Sequence, residues 1–280
     1  MNAYAAYREA VKRLTDSYIE NPEFDARQLA RSCFSITETQ LLMNSNAQLN
    51  ELIVKKFFDC VERRCSHEPL QYILGEWDFF GLSFNVGKGV LIPRPETEIL
   101  PRVAIDFLRK TGGKVVYDLC SGSGCIGISI AKYFSNCRVY MFENSDEANY
   151  YAKQNIKKHG LLNIQLIQGD IRKGSKSFGL PAPDVIVSNP PYVPTYDIET
   201  LQREISFEPK CALDGGIDGL DFYSTISASW YNSLNKGGIL AMECGENQMK
   251  GVLAFFLNIA TGGKVIKDAN GIERVIVIKK

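Results

Sequence analysis

The stretch VVYDLCSGSGCIGISIAKYF, residues 115–134, decides the fold. Its apolar, β-branched start predicts a strand, its glycines mark a tight turn, and the apolar residues that follow at helical spacing predict a helix. The alternation continues with RVYMFE at 138–143, a helical segment at 146–160 and IQLIQGD at 164–170. Strands separated by helical segments predict a mostly parallel, doubly wound α/β sheet.

The same alternation extends to the end of the chain. PDVIVSN at 183–189 and GGILAMECG at 237–245 predict two more strands, separated by a helical segment at 222–234. A helical segment at 248–260 then precedes an antiparallel hairpin with its turn near Asn270-Gly271. We expect this hairpin to close the sheet.

The amino-terminal region has a different pattern. Apolar residues recur at helical spacing and no glycine precedes Gly75, which predicts a bundle of four short helices over residues 1–75. The first predicted helix ends at Asn21-Pro22, and Asp25 is the predicted cap of the second. A capping box of Thr37 and Gln40 predicts the start of a third helix that runs to residue 45, and the last helix is predicted from Leu49 to about Ser66.

Residues 76–93 connect the two patterns. WDFFGLSFNVGKGVLI alternates apolar and polar residues with glycines between, which predicts a β-hairpin linker. PETEILPRVAIDFLRK then predicts a helix with proline and acids in its first turn. The sequence is therefore divided into a helical domain over 1–75, the linker over 76–93 and an α/β domain over 94–280.

Composition narrows the class of protein. Among the 280 residues, 45% are hydrophobic and 23% charged, which is typical of a globular chain, and 32 basic residues balance 32 acidic ones. A net charge of zero gives no general attraction to nucleic acid or to anionic membranes. No apolar run approaches the roughly 18 residues of a membrane span. With eight cysteines but no CxxC pair and two histidines, we expect reduced, mostly buried thiols, no metal and a cytoplasmic location.

The glycine turn predicts a nucleotide-type ligand. Gly122, Gly124 and Gly127 spell GxGxxG between a strand and a helix, where backbone amides can bind a polar ligand. Glu143 ends the next strand, where its carboxylate could accept hydrogen bonds from two ribose hydroxyls. This pattern fits a nicotinamide cofactor and S-adenosylmethionine equally well, and GxGxxG alone is a weak signal.

Two further acids favour S-adenosylmethionine. Asp118 lies inside the strand before the turn, where it suits the amino group of the methionine part, directly or through water. Asp170 ends the third strand, where it could accept from an adenine amine. Glu143 and Asp170 could alternatively be solvated strand ends, but carboxyl ends of neighbouring parallel strands are where ligands of such sheets bind.

The tetrapeptide NPPY, in SNPPY at 188–192, is the most specific motif. If the Asn189 side-chain oxygen and the Pro190 carbonyl each accept one N–H, a poorly nucleophilic nitrogen is oriented with its lone pair toward a methyl donor. Both acceptors bind that nitrogen more strongly as it becomes positive. Pro190 and Pro191 stiffen the backbone, and Tyr192 could pack on the flat target group. The alternative interpretation is an ordinary turn.

The combined motifs resemble the protein-glutamine methyltransferases that modify peptide-chain release factors. The resemblance covers residues 69–280 and rests on PLQYILGEWDFFGLSF, LIPRPETE, DLCSGSG, SNPPY and EPKCALDGGIDGLDFY. It implies a Rossmann-like class I methyltransferase sheet, S-adenosylmethionine as donor with S-adenosylhomocysteine as product, and methylation of the glutamine in a Gly-Gly-Gln loop, which tunes translation termination. The helical domain would grip the release factor. We expect a monomer with no membrane and no stable nucleic-acid partner.

Matched by position, the resemblance and the motifs together give the site. The substrate site would comprise Asn189, Pro190, Pro191 and Tyr192, of which Asn189, Pro190 and Tyr192 would be catalytic. The cofactor site would comprise Asp118, Cys120, Ser121, Gly122, Ser123, Gly124, Glu143, Asp170, Ile171 and Asn189. Arg94, Glu96 and Glu98 would close the cleft, unless they form a salt-bridged surface turn. The family usually has glycine in place of Cys120 and aspartate in place of Glu143.

Two alternatives stay open at this point. A nucleic-acid amino-methyltransferase would use SNPPY on a flipped base, although the chain lacks the positive charge that phosphate contacts require. An NAD-dependent oxidoreductase would use GxGxxG but would leave SNPPY unexplained.

Overall fold

A computed structural model describes residues 1–43 and 48–280, which form two compact units. We call them the helical unit, Met1–Glu76 with Gln202–Phe207, and the sheet unit, Trp77–Leu201 with Glu208–Lys280. The chain thus leaves the sheet unit after Leu201 and returns to it at Glu208. The boundaries drawn from the sequence contain no such excursion.

The described part of the helical unit contains five α-helices, one more than predicted. They are α1 Ala3–Asp16, α2 Pro22–Phe34, α3 Glu38–Leu42, α4 Glu51–Cys65 and α5 Leu70–Leu74. The capping box that opens α3 is confirmed, because Thr37 Oγ1 accepts from Gln40 N at 3.2 Å and Gln40 Oε1 accepts from Thr37 N at 2.8 Å. The predicted continuation of this helix over residues 44–45 lies outside the described residues. The short α5 begins after Pro69, within a segment too short to show helical periodicity.

The predicted cap at Asp25 is wrong. Helix α2 begins at Pro22, whose fixed φ suits a first helical turn, so Asp25 already lies inside the helix. Its side chain is buried and accepts a hydrogen bond from Arg64 Nε at 2.6 Å. Burial beside a cation from α4, and not helix capping, therefore accounts for this acid.

The linker forms a two-stranded hairpin, and the α/β region forms a seven-stranded sheet. The strands are β1 Glu76–Phe79 and β2 Leu82–Asn85 of the hairpin, then β3 Val115–Leu119, β4 Arg138–Glu143, β5 Ile164–Gln168, β6 Val185–Ser188, β7 Ile239–Glu243, β8 Gly262–Lys267 and β9 Glu273–Lys279. The helices are α6 Ile99–Thr111, which follows a 3-10 turn over Pro95–Glu98, then α7 Cys125–Tyr133, α8 Asp146–His159, α9 Asp221–Thr225 and α10 Met249–Ala254.

The strand order is β5-β4-β3-β6-β7-β9-β8, with β9 antiparallel to both β7 and β8 and every other neighbouring pair parallel. This confirms the predicted mostly parallel sheet with an antiparallel closing strand. In the register of the sheet, Leu119 lies between Phe142 and Ser188. The carboxyl ends of β3, β4 and β6 are therefore level, so the turns that follow them lie side by side, as expected of a ligand-binding edge.

The core covers both faces of the sheet, since parallel strands are buried on both sides. Val116, Val139 and Val185 pack on one face, whereas Tyr117, Tyr140 and Ile186 pack on the other. Of the eight cysteines, all free, only Cys125, Cys137 and Cys244 are buried, and Cys211 is exposed. The expectation that most cysteines belong to the core is therefore wrong.

The helix predicted over 222–234 is broken into three parts. Helix α9 passes into a π-helical turn at Ile226–Trp230 and a 3-10 turn at Tyr231–Ser233. Buried aromatic side chains on both sides of the break have partners for their polar atoms, because Tyr223 OH in α9 donates to Glu243 O at 2.9 Å and Trp230 Nε1 at the end of the π-helical turn donates to Ile171 O at 2.8 Å.

Across residues 1–43 and 48–280, no helix has both the length and the apolar character needed to span a bilayer. The same residues contain no cluster of three or more histidine, cysteine or acidic side chains arranged to hold a metal ion.

Candidate active site

The sheet unit contains a cavity of about 510 Å³ at the carboxyl ends of its strands. The predicted site residues that line it are Arg94, Cys120, Ser121, Gly122, Ser123, Glu143, Asp170, Ile171, Asn189 and Pro191. The predicted residues outside its lining are Glu96, Glu98, Asp118, Gly124, Pro190 and Tyr192. One cavity therefore brings together the glycine turn, two strand-end acids and the asparagine of SNPPY.

The glycine turn has left-handed backbone at three positions. Gly122 has φ +56° and Gly124 φ +82°, and a Cβ on Gly124 would lie 2.8 Å from Met141 Cε. Cys120 also has a positive φ, 59°, which costs a residue with a side chain roughly 1 kcal/mol. This conformation explains in physical terms why a glycine suits the position that Cys120 occupies.

Glu143 holds the turn in place from the end of β4. Its carboxylate accepts from the backbone N–H groups of Gly122, Asn144 and Ser145, each at 2.8 Å. Burial raises the pKa of Glu143, whereas these three donors oppose the shift. The group thus lines the cavity oriented by the backbone, with one of its roughly four lone-pair positions, on Oε2, left for ligand hydroxyls.

Asp118 lies beneath the turn and is fully buried. Its Oδ2 accepts from Gly127 N at 2.9 Å, but its Oδ1 has no hydrogen-bond partner. Burial raises the pKa of Asp118 to about 8. A buried polar atom without a partner is costly, and a cationic amino group reaching Oδ1 would satisfy it. The predicted contact with such a group stays a prediction.

Asp170 has a strong local partner that the sequence did not suggest. Its Oδ2 accepts from Arg172 Nη2 at 2.7 Å, and this ion pair lowers the pKa of Asp170. The next residue, Ile171, is buried, and its carbonyl accepts from Trp230. Both residues line the cavity, so the predicted adenine contact of Asp170 would be made by a carboxylate already paired with arginine.

The asparagine of SNPPY is tethered through one end of its amide. Asn189 Nδ2 donates to Thr97 Oγ1 at 3.3 Å, while no described residue donates to Asn189 Oδ1. Thr97 is buried, and its own hydroxyl donates to Glu243 Oε2 at 2.6 Å. The amide oxygen is thus the available end of a half-buried side chain that lines the cavity.

Tyr192 is oriented by the same acid. Its hydroxyl donates to Glu243 Oε1 at 3.2 Å, so the ring is anchored at its polar end. Glu243 is fully buried, and burial raises its pKa to about 7. The predicted packing of Tyr192 on the target group stays a prediction, since the ring does not line the cavity.

The last residue of SNPPY, Tyr192, packs closely against the GGIDG sequence at 215–219. A Cβ on Gly215 would lie 2.8 Å from Tyr192 Cα, and one on Gly219 would overlap the Tyr192 carbonyl oxygen. That carbonyl also accepts from Gln248 Nε2 at 2.8 Å. The glycines of this segment therefore permit close packing that holds the tetrapeptide.

Arg94 and Glu98 of the LIPRPETE segment have separate partners. Arg94 forms an ion pair with buried Glu208, which also accepts from Ile92 N at 3.1 Å, so this arginine is fixed at the cavity wall. Glu98 instead accepts from Phe80 N at 2.7 Å and so binds the backbone of the hairpin. The cleft-closing role predicted for Arg94, Glu96 and Glu98 is untested.

Sequence reasoning missed four residues around the site: Thr97, Glu208, Glu243 and Gln248. Glu243 had a usable signal, because it is an acid at the end of an otherwise apolar strand, as is Glu143. Thr97 stood within the quoted PETE motif but was not singled out. Glu208 likewise begins the quoted EPKCALDGGIDGLDFY motif but was not singled out. Gln248 carried no local signal, since its partner Tyr192 is distant in sequence.

The fold defines the class of protein. Similar solved structures include a methyltransferase from Pyrococcus furiosus, with a TM-score of 0.52, 22% identity and coverage of 72% of this chain and 90% of that chain. The hMettl16 catalytic domain in complex with the MAT2A 3′UTR hairpin 6 has a TM-score of 0.57, 14% identity and coverage of 84% and 85%. The sheet unit therefore has the Rossmann-like fold of class I methyltransferases.

Sequence comparison identifies the family within that class. The model of the PrmC N-terminal domain matches residues 5–75, and that of the methyltransferase small domain matches residues 99–208. The release factor glutamine methyltransferase of Geobacter sulfurreducens is 38% identical to this chain, and the match covers 94% of this chain and 91% of the relative. The enzyme of the same name from Moorella thermoacetica is 34% identical, and the match covers 98% of this chain and 97% of the relative. The chain belongs to the release factor glutamine methyltransferase family. The resemblance is confirmed, and the nucleic-acid alternative is not favoured.

Proposed function

We propose that this chain methylates the side-chain amide nitrogen of the glutamine in the Gly-Gly-Gln loop of peptide-chain release factors and so tunes translation termination. The observation that carries the proposal is the Asn189 amide, which is held by Thr97 through Nδ2 and offers its free Oδ1 at the cavity. An amide nitrogen needs such acceptors, because its lone pair is delocalised and its hydrogens must be oriented before it can attack.

The cavity fits S-adenosylmethionine, which supplies an electrophilic methyl group and is left as S-adenosylhomocysteine. Glu143 would accept from the ribose hydroxyls, and the turn from Cys120 to Gly124 would contact the ligand through its backbone. The unpartnered Oδ1 of Asp118, which lies beneath the turn and outside the cavity lining, would reach the amino group directly or through water. Asp170 and Ile171, which line the cavity, would border the adenine. We propose no metal in this reaction.

The residues of SNPPY would do the work on the substrate. Asn189 Oδ1 and the Pro190 carbonyl would each accept one N–H of the glutamine amide. As positive charge develops on the nitrogen, its hydrogens become stronger donors, so both acceptors stabilise the transition state more than the ground state. Pro191 would fix the backbone and Tyr192 would pack on the amide plane. Arg94, with Glu96 and Glu98, would border the mouth of the site.

The helical unit would recognise the body of the release factor. The chain that follows SNPPY enters this unit at 202–207, which supports a link between substrate recognition and the substrate loop. We propose that the protein acts as a monomer in the cytoplasm, where release factors work, with no membrane partner and no stable nucleic-acid complex.

The test is methyl transfer from labelled S-adenosylmethionine to a purified release factor, to the same factor with its loop glutamine changed to alanine, and to RNA and DNA from the same cells. We expect label only in the factor that retains the glutamine. Equal labelling of both factors, or labelling of nucleic acid alone, would refute the proposed function.

A further inference from the structure

Glu243 is a buried acid that contacts neither the substrate nor the cofactor in the proposed reaction. It ends β7, is fully buried, and its carboxylate bonds to two hydroxyls, those of Thr97 and Tyr192. Arg274, on the neighbouring strand, donates to Asp268 at 3.3 Å and makes no ion pair with Glu243. Burying a carboxylate with no paired cation costs stability, which calls for a functional reason.

Two hydrogen bonds connect Glu243 to Asn189 through Thr97, and each has a fixed donor and acceptor. An ionised carboxylate can only accept, so the single hydroxyl proton of Thr97 must be donated to Glu243. The Thr97 oxygen is then left as an acceptor, and the group of Asn189 that can bond to it is the amide NH₂. Consequently the Asn189 oxygen is directed away from Thr97.

We propose that Glu243 and Thr97 are positioning residues that set which end of the Asn189 amide faces the substrate. The carboxylate orders the threonine hydroxyl, and the hydroxyl orders the amide, so that an acceptor and not a donor meets the N–H of the target glutamine. This inference rests on the proposed function of Asn189 as the amide acceptor.

Protonation of Glu243 would remove this direction. A neutral carboxyl can donate to Thr97, whose hydroxyl can then donate to Asn189 and draw the amide oxygen away from the substrate. Burial raises the pKa of Glu243 to about 7, with nearby Glu96 raising it and the Arg274 cation lowering it. The other titratable groups around it, Tyr192, Tyr223 and Cys244, all have pKa values raised by burial and stay neutral near pH 7. Turnover should therefore fall as the pH drops below 7.

The first test compares Thr97→Val with Thr97→Ser. Valine keeps the shape but removes the hydroxyl, so single-turnover methylation of the release factor should slow roughly 10- to 50-fold because the acceptor is misoriented. Serine keeps the hydroxyl and should restore most of that rate. Thr111→Val is the matched control, because its exposed hydroxyl bonds to Phe107 O at the end of α6, away from the cavity. Affinity for S-adenosylmethionine should be unchanged in Thr111→Val, and in the two Thr97 variants it should change by less than the rate, although Thr97 lines the cavity.

The second test is a double-mutant cycle with Asn189→Ala. If Thr97 acts through Asn189, Thr97→Val should cause little further loss once Asn189 is alanine. Additive losses in the cycle, or a full rate for Thr97→Val, would overturn the inference. Should the valine variant fail to fold, Thr97→Ala takes its place in the same cycle. A parent enzyme that binds S-adenosylmethionine but leaves the release factor unlabelled would instead refute the proposed function.

A pH profile separates positioning from a structural role. The parent rate should rise with pH through about 7, as Glu243 ionises. The slow Thr97→Val enzyme should lose this dependence, because nothing then connects Glu243 to Asn189. If the acidic limb were the same in both enzymes, it would belong to another group and the proposed relay would be wrong.

Discussion

Each unit of the molecule buries a network of polar side chains, and the two networks are built differently. In the helical unit, Arg64 donates through Nε to buried Asp25 at 2.6 Å and forms a second ion pair with the partly exposed Glu204. In the sheet unit, Glu243 is also buried, but its partners are the neutral hydroxyls of Thr97 and Tyr192.

The difference separates a structural network from a functional one. Around Arg64, opposite charges lie in contact, so the network is satisfied within itself and breaking it exposes an uncompensated charge. Around Glu243, the charge is unpaired, and its effect passes through Thr97 to a side chain that lines the cavity. Perturbed acids of this second kind are typical of functional sites.

The largest effect is expected from Arg64→Met. Removing the cation leaves Asp25 buried without its partner, which should reduce the free energy of unfolding by about 3–5 kcal/mol. Urea denaturation measures the loss, and calorimetry should show unchanged affinity for S-adenosylmethionine, since the site lies in the other unit. The double variant Asp25→Leu with Arg64→Met should recover much of the stability. A single variant as stable as the parent would contradict the structural role of this network.

Asn189→Ala should have the opposite profile, with little change in stability and a large change in rate. It removes one of two preorganised acceptors, so the chemical step should slow roughly 10²- to 10³-fold. Single-turnover methylation of release factor measures the effect, with Asn232→Ala, an exposed asparagine, as control. A rate close to that of the parent would mean that SNPPY is only a structural turn.

The environment of Glu143 is intermediate between those of the two polar networks, because no cation among the described residues pairs with its carboxylate but three backbone N–H groups donate to it. Glu143→Ala should weaken S-adenosylmethionine binding by roughly 1.5–3 kcal/mol, or about 10- to 150-fold, because two ribose hydroxyls lose their acceptor. Calorimetry compares it with Glu273→Ala, an exposed acid on β9. Unchanged affinity would remove Glu143 from the cofactor site.

The comparison also shows what the sequence can predict. The Thr37–Gln40 capping box, the glycine turn and the strand-end acids are local patterns, and each was visible without the fold. The partners of Asp25 and Glu243 were not, because Arg64 lies 39 residues from Asp25 and Thr97 lies 146 residues from Glu243. The sequence therefore predicts a cap at Asp25, which is wrong, and at Glu243 it predicts only the end of a strand. Motifs locate the cavity, whereas packing decides which acids are paired.

The smallest effect, and the one that separates the networks most directly, is expected from Glu243→Gln. Glutamine can still accept from Thr97 and donate to Tyr192, but it carries no charge to bury. In the parent, the folded pKa of about 7 exceeds the ordinary value of 4.5, so the native state binds the proton more tightly than the unfolded state. The contribution of Glu243 to the stability of the parent should therefore fall as the pH rises from 4.5 to 7, and the glutamine variant should lack this contribution.

Urea denaturation across that range measures the difference. We expect Glu243→Gln to match the parent near pH 4.5 and to exceed it by about 1–2 kcal/mol at pH 8, a gain smaller than the full shift because the buried site relaxes. Other buried acids, such as Asp118, are common to both proteins and cancel in the comparison, and exposed Glu273→Gln should show no gain. A loss of stability at pH 8, like that expected of Arg64→Met, would mean that the Glu243 charge is compensated and that the two networks are of one kind.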